Sequence, residues 1–247
     1  VNVILGPNAS GKTLLLRAIQ VATQDAYSVV FISSEPNAQQ TRSQSSVLEL
    51  LGAARELAEL FARTRAARLA GLAADSFVLR SKTGMCEKCS GSGVEYFADG
   101  LVETCHLCEG KRFNKQILSI RLHGKTIAEI LQKTIAQAQL FFAEHAALVE
   151  IFRKAELLEL RDLVLGTAYP AQSAVLAKIA LIELTTKKTL KNKIILVDNP
   201  AYGHAISRFS DLNQIFTEFA DRGAGVLFST HNVLAASEID CKIHLSN

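Results

Sequence analysis

Eight residues near the start of the chain have the types and spacing needed to hold the phosphates of a nucleotide. The pattern G-x-x-x-x-G-K-[ST] is formed by Gly6, Pro7, Asn8, Ala9, Ser10, Gly11, Lys12 and Thr13. Its glycines let backbone N–H groups point at phosphate oxygens, the Lys12 ammonium reaches the outer phosphates, and the Thr13 hydroxyl binds Mg²⁺. The pattern predicts a nucleotide site, and a chance glycine turn before a helix is the alternative.

Four cysteines form a second group whose spacing indicates chemistry. The two C-x-x-C pairs are Cys86 with Cys89 and, after fifteen intervening residues, Cys105 with Cys108. Such pairs place four thiolates around Zn²⁺, and the Asp99-Gly100 turn signal between them predicts a hairpin, so we expect a small zinc ribbon. Disulfides and a redox motif are the alternatives, but disulfides do not suit the reducing cytosol and a redox C-x-x-C would not occur twice.

Two further residues of types that can bind metals, a histidine and a cysteine, are not expected to be ligands. His106 lies between two of the cysteines and is expected to be exposed rather than coordinating. Cys241 stands alone, and we expect it to be a small core residue.

Two predicted strands end in polar residues that would complete a nucleotide site. Residues 194–197 are apolar and lead into Asp198, whose carboxylate is expected to hold the water shell of Mg²⁺. His231 follows a second apolar run, at the carboxyl end of a strand, where open α/β sheets place ligands. A contact between His231 and the γ-phosphate and a purely structural histidine both remain open.

The elements that position these residues follow from hydrophobic periodicity. Apolar runs predict strands at residues 1–5, 28–32, 116–122, 194–198 and 225–230. Helical spacing predicts a helix from residue 14 and a long amphipathic helix from 47 to about 69. Capping boxes open helices at Thr126 and Thr134, and leucine-rich stretches predict helices at 146–160 and 174–188.

Composition indicates a globular chain. With 247 residues, 49% of them hydrophobic, the chain is long enough to bury a sizeable core, and a net charge of +3 does not by itself announce a nucleic-acid partner. No apolar run reaches membrane-spanning length, and we expect a cytoplasmic protein that binds no membrane. Because the chain enters the phosphate loop directly, without the strands that usually precede it, we expect it to be a piece of a longer protein.

The combined motifs resemble the UvrA family, the damage-recognising ABC-type ATPases of the bacterial excinuclease, over nearly the whole chain. Residues 105–114 match that family's C-x-x-C-x-G-K-R-[YF]-N, and residues 124–131 continue its pattern. Residues 86–93 resemble C-E-x-C-x-G-x-G, and residues 41–43 stand where the family has T-P-R-S. The order of phosphate loop, cysteine pairs, strand-end Asp and Thr-His-Asn is that of the family's second ATPase half.

This resemblance implies an α/β fold of the ABC-type P-loop ATPase class, with a mixed or parallel sheet, a helical signature subdomain and an inserted zinc ribbon. The expected segments are a P-loop part of the core at 1–46, a helical insert at 47–85, the zinc-ribbon module at 86–122, the helical subdomain at 123–190 and the second part of the core at 191–247. The implied cofactors are ATP, magnesium and zinc.

The resemblance also implies DNA damage recognition in nucleotide excision repair. Its partners would be damaged double-stranded DNA, a second UvrA-like half or a homodimer partner, and an excinuclease B-type helicase subunit bound through other segments. Lys111, Arg112 and Arg42 are the candidate DNA contacts. A second arginine cluster, with weaker support, is either a solvated helical face or a phosphate-contacting patch and comprises Arg63, Arg65 and Arg68.

Three departures from the family pattern concern hydrolysis. The signature L-S-G-G-E is replaced by residues 169–174 without a glycine pair, the catalytic glutamate position is Asn199, and the glutamine position is Ser34. Because Asn cannot accept a proton as a carboxylate does, we expect binding without efficient hydrolysis. A non-hydrolysing DNA-binding or scaffold half and a resistance-type paralogue that acts without excision are the alternatives.

Overall fold

The computed structural model describes residues 1–34, 45–98, 100–168, 173–200, 209–237, 239 and 241–246. Arg42, Asp99 and residues 169–172 of the signature region therefore lie outside the described residues. The chain divides into two compact units. The first comprises Val1–Arg42, Arg153–Arg161 and Pro170–Asn247, and the second comprises Ser43–Phe152 and Asp162–Tyr169. This division does not test the five segments expected from the sequence, which remain predictions.

The helices and strands of the described residues follow in chain order. They are β1 (Asn2–Leu5), α1 (Lys12–Thr23), β2 (Ser28–Ser33), α2 (Val47–Leu50), α3 (Ala54–Ala62), α4 (Arg65–Leu69), β3 (Val94–Tyr96), β4 (Val102–Thr104), α5 (Lys115–Ser119), α6 (Ile127–Leu131), α7 (Ile135–Phe141), α8 (Ala146–Leu157), α9 (Ser173–Thr186), β5 (Lys193–Asp198), α10 (Phe209–Asp221), β6 (Gly225–Thr230) and β7 (Cys241–His244). Short 3₁₀ turns lie at Ala74–Phe77 and Leu234–Ala236. Among the described helices, none has the length and apolar character that crossing a membrane requires.

The first unit is built on five parallel strands in the order β2-β5-β6-β1-β7. Parallel sheets are covered on both faces, so their strands are continuous apolar runs. The central strands follow this rule, because Val3, Ile4, Ile195, Leu196 and Val197 have no exposed surface. Since β1, β5 and β6 are neighbours and run in one direction, the residues after all three strands lie at the same edge of the sheet.

Helix α1 starts directly after the phosphate loop. Gly11 is its N-cap and has a left-handed φ of 84°, which glycine adopts without strain. Leu16 has no exposed surface and packs in a core cluster with Ile4 of β1 and Leu196 of β5. The helix N-terminus is thereby fixed next to the end of β1.

Side-chain caps fix the helices of the second unit. The two capping boxes predicted from the sequence are confirmed, Thr126 with Glu129 on α6 and Thr134 with Gln137 on α7, and Ser46 with Glu49 makes a third on α2. Hydrogen bonds from the Thr126 backbone N–H and from Lys125 lower the pKa of Glu129 to about 2.

The long helix predicted from 47 to 69 is wrong, because the segment forms α2, α3 and α4 instead. Gly52 takes a left-handed φ of 74° after α2. A second break lies between α3 and α4. Thr64 is the N-cap of α4, and its hydroxyl oxygen accepts a hydrogen bond from the Ala67 N–H. The apolar spacing was real, because Leu57 and Phe61 are buried, but local turn chemistry divides the helix.

The strand predicted at 116–122 is also wrong, and the segment begins with helix α5. Asn114 caps this helix by accepting a hydrogen bond of 3.0 Å from the Ile117 N–H. A short apolar run has the same appearance in a buried strand and a buried helix, so periodicity alone did not separate them. The predicted turn at 123–124 is present, with Leu122 bridged to Lys125.

Two smaller expectations need correction. Cys241 is exposed rather than a core residue, because it begins β7 at the edge of the sheet. Helix α8 ends at Leu157 rather than near residue 160, because Glu159 takes a left-handed φ of 61° and the Leu160 N–H returns to the Ala155 carbonyl. The remaining predicted strands of the first unit agree with the structure to within one or two residues.

Candidate nucleotide site and zinc centre

The phosphate loop connects β1 to α1 in a conformation that depends on small residues. Ala9 and Gly11 both have positive φ, and the Ser10 N–H donates to the Pro7 carbonyl at 3.3 Å. A Cβ on Gly6 would lie 2.5 Å from Ser10 Oγ and 2.9 Å from the carbonyl oxygen of Leu245. Glycine is therefore required at position 6 for the loop to pack against the chain that follows β7.

Lys12 is held within the loop that it belongs to. Its Nζ donates to the carbonyl oxygens of Gly6 at 2.9 Å and Pro7 at 2.5 Å. The Leu15 N–H donates to the Gly11 carbonyl at 2.9 Å, which starts the helix immediately behind the lysine. The ammonium and the first turn of α1 therefore face the same small region, as a phosphate site requires.

Three side chains from three neighbouring segments form a hydrogen-bond chain beside the loop. Thr13 Oγ1 donates to Asp198 Oδ2 at 2.8 Å, and Ser229 Oγ donates to Asp198 Oδ1 at 2.5 Å. Asp198 is 3% exposed and Ser229 is fully buried. The carboxylate at the end of β5 and the hydroxyl expected to bind Mg²⁺ are thus neighbours, and both lie where they could hold the ion.

Asn199 follows this carboxylate with both of its backbone polar groups engaged. Its N–H donates to Ser229 Oγ at 3.0 Å, and its carbonyl accepts from Ser34 Oγ at 3.3 Å. Its backbone is left-handed, with a φ of 49°. Among the described residues, Asn199 Oδ1 is the buried side-chain atom that lacks a hydrogen-bond partner.

A single cleft of about 340 Å³ collects the predicted nucleotide residues. It is lined by Asn8, Ala9, Gly11, Lys12, Thr13, Leu14, Asp198, Asn199 and His231. The exposed His231 enters the cleft from the end of β6, as expected from its place after that strand. The sheet therefore brings together residues that are more than 180 positions apart in the sequence.

The four cysteines of the second unit form one buried cluster. Their sulfur atoms all lie within 4.8 Å of one another, and the Cys86–Cys105 and Cys89–Cys108 pairs are separated by 3.9 and 3.7 Å. Tetrahedral zinc with Zn–S bonds of about 2.3 Å places its sulfur ligands about 3.8 Å apart. The spacing, the burial and the all-thiol donor set therefore fit a structural Zn²⁺.

The backbone around the cluster is tied to the sulfur atoms. The N–H groups of Gly93 and Arg112 donate to Cys89 Sγ at 3.3 Å and Cys108 Sγ at 3.4 Å. Strands β3 and β4 pair antiparallel between the two cysteine pairs, which confirms the predicted hairpin. A metal ion here would connect both ends of the hairpin, which is how zinc ribbons are stabilised.

Burial and local hydrogen bonds shift the pKa values of the thiols in different directions. Burial raises the pKa of Cys108 to about 12 and also raises that of Cys105. Burial opposes ionisation of Cys89 as well, but hydrogen bonds from Gly93 and Cys108 lower its pKa to about 7. Four thiolates cannot accumulate in so small a space without a cation, and Zn²⁺ would supply that charge.

Comparison with known proteins shows which family has this combination of phosphate loop and cysteine pairs. No protein-family model matches the chain. The UvrABC system protein A of Aquifex aeolicus is 33% identical over 182 residues, which cover 70% of this chain and 19% of the relative. The protein of the same name from Thermus thermophilus is 28% identical over 98% of this chain and 28% of the relative. The chain belongs to the UvrA family.

The fold agrees with this family. The crystal structure of UvrA2 from Deinococcus radiodurans superposes with a TM-score of 0.77 at 23% identity, over 96% of this chain and 31% of that one. The parallel sheet with its helices and the cysteine cluster confirm the predicted ABC-type fold class. The chain spans about a fifth to a third of the length of these relatives.

The structure gives the candidate DNA-binding residues of this UvrA-family chain different surroundings. Lys111 is half-exposed and pairs with Glu109. Arg112 is partly buried, and its Nη1 donates to the Gly166 carbonyl at 2.9 Å. His106 is 72% exposed and contacts Glu95 at 2.7 Å, outside the sulfur cluster as expected.

The second arginine cluster lies on the surface of α3 and α4. Arg63, Arg65 and Arg68 are all exposed, and Arg63 pairs with Glu59 at 3.2 Å. Exposure is required both for a solvated face and for a phosphate contact, so both interpretations remain. The role of these arginines and of Lys111 and Arg112 in DNA binding stays a prediction.

Sequence reasoning missed Ser229. It bonds both Asp198 and Asn199, and it lies directly after the apolar run of β6, at the polar end of that strand. Its position in the strand could have identified it, because Ser229 is paired in register with Asp198 on the neighbouring parallel strand. A polar residue at that point of β6 is directed toward the carboxylate that ends β5.

Proposed function

We propose that this chain is an ATP-binding half of a UvrA-type protein and acts in DNA damage recognition during nucleotide excision repair. The contact that carries the proposal is the 2.8 Å hydrogen bond between Thr13 and Asp198 at the mouth of the phosphate loop. Membership of the UvrA family and the four-cysteine cluster support it.

ATP would be held by the loop N–H groups, with the Lys12 ammonium on the outer phosphates. Thr13 and Asp198 would hold Mg²⁺, which neutralises phosphate charge when it is bound. Ser229 would keep Asp198 oriented through the bond to Oδ1. His231 lines the cleft and would contact the γ-phosphate side of the nucleotide.

Hydrolysis by this half would be impaired. Asn199 stands next to Asp198, where the family has a catalytic glutamate, and an amide does not act as a general base. A positioned base contributes about a hundred- to ten-thousand-fold in rate, which is about 3–5 kcal/mol of barrier. The Asn199 amide oxygen can accept a hydrogen bond, but it would not remove a proton from an attacking water.

DNA would be bound on the zinc module. Lys111 is the strongest candidate contact, because its pairing with Glu109 is on the surface and such pairs contribute little. Arg112 would have to leave the Gly166 carbonyl to reach a phosphate, so we assign it the smaller share. Arg42 is proposed from the family pattern alone. The partners would be damaged double-stranded DNA, a second UvrA-like half and an excinuclease B-type subunit.

ATP affinity tests the nucleotide part of the proposal. A fluorescent ATP analogue should bind the wild-type chain in the presence of Mg²⁺, and Lys12→Ala should abolish binding because it removes the charge aimed at the phosphates. Lys188→Ala is the matched control, since Lys188 is an exposed lysine of the same unit that does not line the cleft. Equal affinity in wild type and Lys12→Ala would refute the nucleotide site.

Turnover tests the assignment of Asn199. Steady-state ATPase of this half, measured together with a partner half whose own site is disabled, should be close to background. Asn199→Glu alone should restore little, because residues 169–174 still lack the signature glycines. Robust wild-type turnover under these conditions would show that another group acts as the base.

One observation favours a second function, that of a non-hydrolysing scaffold half. The backbone of Asn199 is fixed by Ser229 and Ser34 without any contribution from its side chain, so the loop keeps its shape without a glutamate. Such a half would bind DNA equally well with and without ATP. DNA affinity measured with ATP, with ADP and without nucleotide distinguishes it from a half whose DNA affinity depends on the nucleotide.

A further inference from the structure

Two histidines of the second unit meet away from the cysteine cluster. His123 Nε2 and His145 Nε2 are 3.4 Å apart, and their ring centroids are separated by 5.7 Å. The two residues lie 22 positions apart, one in the turn before α6 and one directly before α8. Neither belongs to the zinc ribbon or to the cleft at the phosphate loop.

The separation of the two nitrogens lies at the long end of hydrogen-bond contact and also matches the distance between two ligands of one metal ion. An N–H donor and its acceptor usually lie about 2.7–3.2 Å apart. Two imidazole ligands of a tetrahedral ion with Zn–N bonds of about 2.0–2.1 Å are separated by about 3.3–3.4 Å. Square or octahedral geometry would bring neighbouring nitrogens to about 2.9 Å at the same bond length. The observed distance therefore agrees with two imidazole ligands on a tetrahedral ion such as Zn²⁺.

Both imidazoles are held in place from behind by aromatic rings. His123 meets the edge of Phe141, with centroids 6.0 Å apart, and His145 packs on Phe142 at 5.9 Å. Phe141 and Phe142 are themselves in contact, and Phe142 is 1% exposed. An exposed pair of side chains normally loses rotamer freedom when it binds a metal, and this packing reduces that cost.

The backbone positions of the pair are also fixed. His123 has a left-handed φ of 46° inside a turn closed by two hydrogen bonds between Leu122 and Lys125. The His145 N–H donates to the Phe142 carbonyl at 2.7 Å, and its carbonyl accepts the Val149 N–H at the start of α8. Two rigid attachment points thus present two nitrogen atoms to the same point in space.

We propose that His123 and His145 form a second metal site, which binds Zn²⁺ through the two Nε2 atoms. Imidazole is a ligand for zinc, copper and nickel, and zinc is the one whose tetrahedral preference matches the distance. Among the described residues, the cysteine cluster is the group in which three or more His, Cys, Asp or Glu side chains converge, so water completes the coordination at the histidine pair. The ion would link the turn before α6 to the first turn of α8.

The site requires both histidines to be neutral at the coordinating nitrogen, with the proton on Nδ1. With two protein ligands it binds more weakly than the four-thiol cluster, so the cysteines fill first. Bound zinc stabilises only the folded arrangement, because the two ligands are not adjacent in the unfolded chain. A second zinc equivalent is therefore expected to raise the unfolding temperature.

Isothermal titration of the full chain with Zn²⁺ tests the proposal. The variants are His123→Asn and His145→Asn, because asparagine tolerates a left-handed backbone and also serves well before a helix start. His106→Asn is the matched control, an exposed histidine beside the cysteines whose partner is a carboxylate rather than a second imidazole. Circular dichroism checks that each variant is folded.

We expect wild type and His106→Asn to bind one more Zn²⁺ per chain than either variant of the pair, whatever the cysteines hold. The affinity for this additional ion should fall at least tenfold in each single variant, and the rise in unfolding temperature on adding it should disappear. Equal zinc stoichiometry and affinity in wild type and the two variants would overturn the proposal. So would retention of the additional ion in one of the single variants, because one imidazole would then suffice.

Discussion

Replacing Ser229 by alanine tests the hydrogen-bond chain that positions Asp198. The Ser229 hydroxyl is fully buried, donates to Asp198 Oδ1 at 2.5 Å and accepts from the Asn199 N–H at 3.0 Å. A hydrogen bond to a charged group contributes about 1.5–3 kcal/mol, and leaving a buried N–H without a partner costs about 1–3 kcal/mol. We therefore expect Ser229→Ala to lower the free energy of unfolding by roughly 3–5 kcal/mol.

Urea unfolding followed by far-UV circular dichroism measures this loss. Ser237→Ala is the control, because Ser237 is exposed and its hydroxyl donates to the Leu234 carbonyl at 2.9 Å, so its removal should change stability by less than about 0.5 kcal/mol. Affinity for Mg²⁺-ATP should also fall in Ser229→Ala, since Asp198 is then held on one side only, by Thr13. If Ser229→Ala unfolds at the same urea concentration as Ser237→Ala, the hydrogen-bond chain does not position the carboxylate.

Three further predictions address the zinc module and the helix caps. Metal analysis should find one Zn²⁺ fewer per chain in Cys105→Ser than in wild type, and the hairpin should be lost. The control variant Cys241→Ser should keep the full zinc content. Unchanged zinc content in Cys105→Ser would exclude the thiol site. Lys111→Ala should weaken DNA binding and reduce the slope of log affinity against log salt concentration by about one. The control variant Lys115→Ala should change neither quantity. Identical slopes in Lys111→Ala and wild type would show that Lys111 does not contact DNA. Hydrogen bonds lower the pKa of Glu129 to about 2 in the folded chain, so the stability that its charge contributes is present above the unfolded pKa of about 4.3 and is lost as pH falls toward 2. The stability difference between wild type and Glu129→Gln should therefore shrink over that range, and a difference that stays constant would show that the charge of Glu129 does not stabilise the fold.

The grouping of the candidate nucleotide residues and of the four cysteines was predictable because these residues carry chemistry at short, fixed spacing. Each C-x-x-C pair forms one turn, and the phosphate loop is a continuous segment, so no long-range information was needed to recognise either. Asp198 required one more step, the rule that a strand-end carboxylate accompanies such a loop. These residues lie together in the structure as the sequence indicated.

The errors concern features that are decided by contacts between distant segments or by single turns. The exposure of Cys241 depends on β7 lying at the edge of the sheet, which is a property of strand order and not of local composition. Gly52 and Thr64 divide an amphipathic pattern whose apolar spacing continues across both breaks. The pairing of His123 with His145 depends on how the aromatic residues before α8 pack, and no spacing rule predicts it.

The proposed separation between nucleotide binding and hydrolysis rests on which groups of Asn199 make contacts. The groups that would hold phosphate and Mg²⁺ are the loop N–H groups, Lys12, Thr13 and Asp198, and their mutual contacts do not include the side chain of Asn199. The turn after β5 is held by the backbone of Asn199, through Ser229 and Ser34. A change from glutamate to asparagine at this position therefore leaves every hydrogen bond of the binding site in place and removes only a proton acceptor.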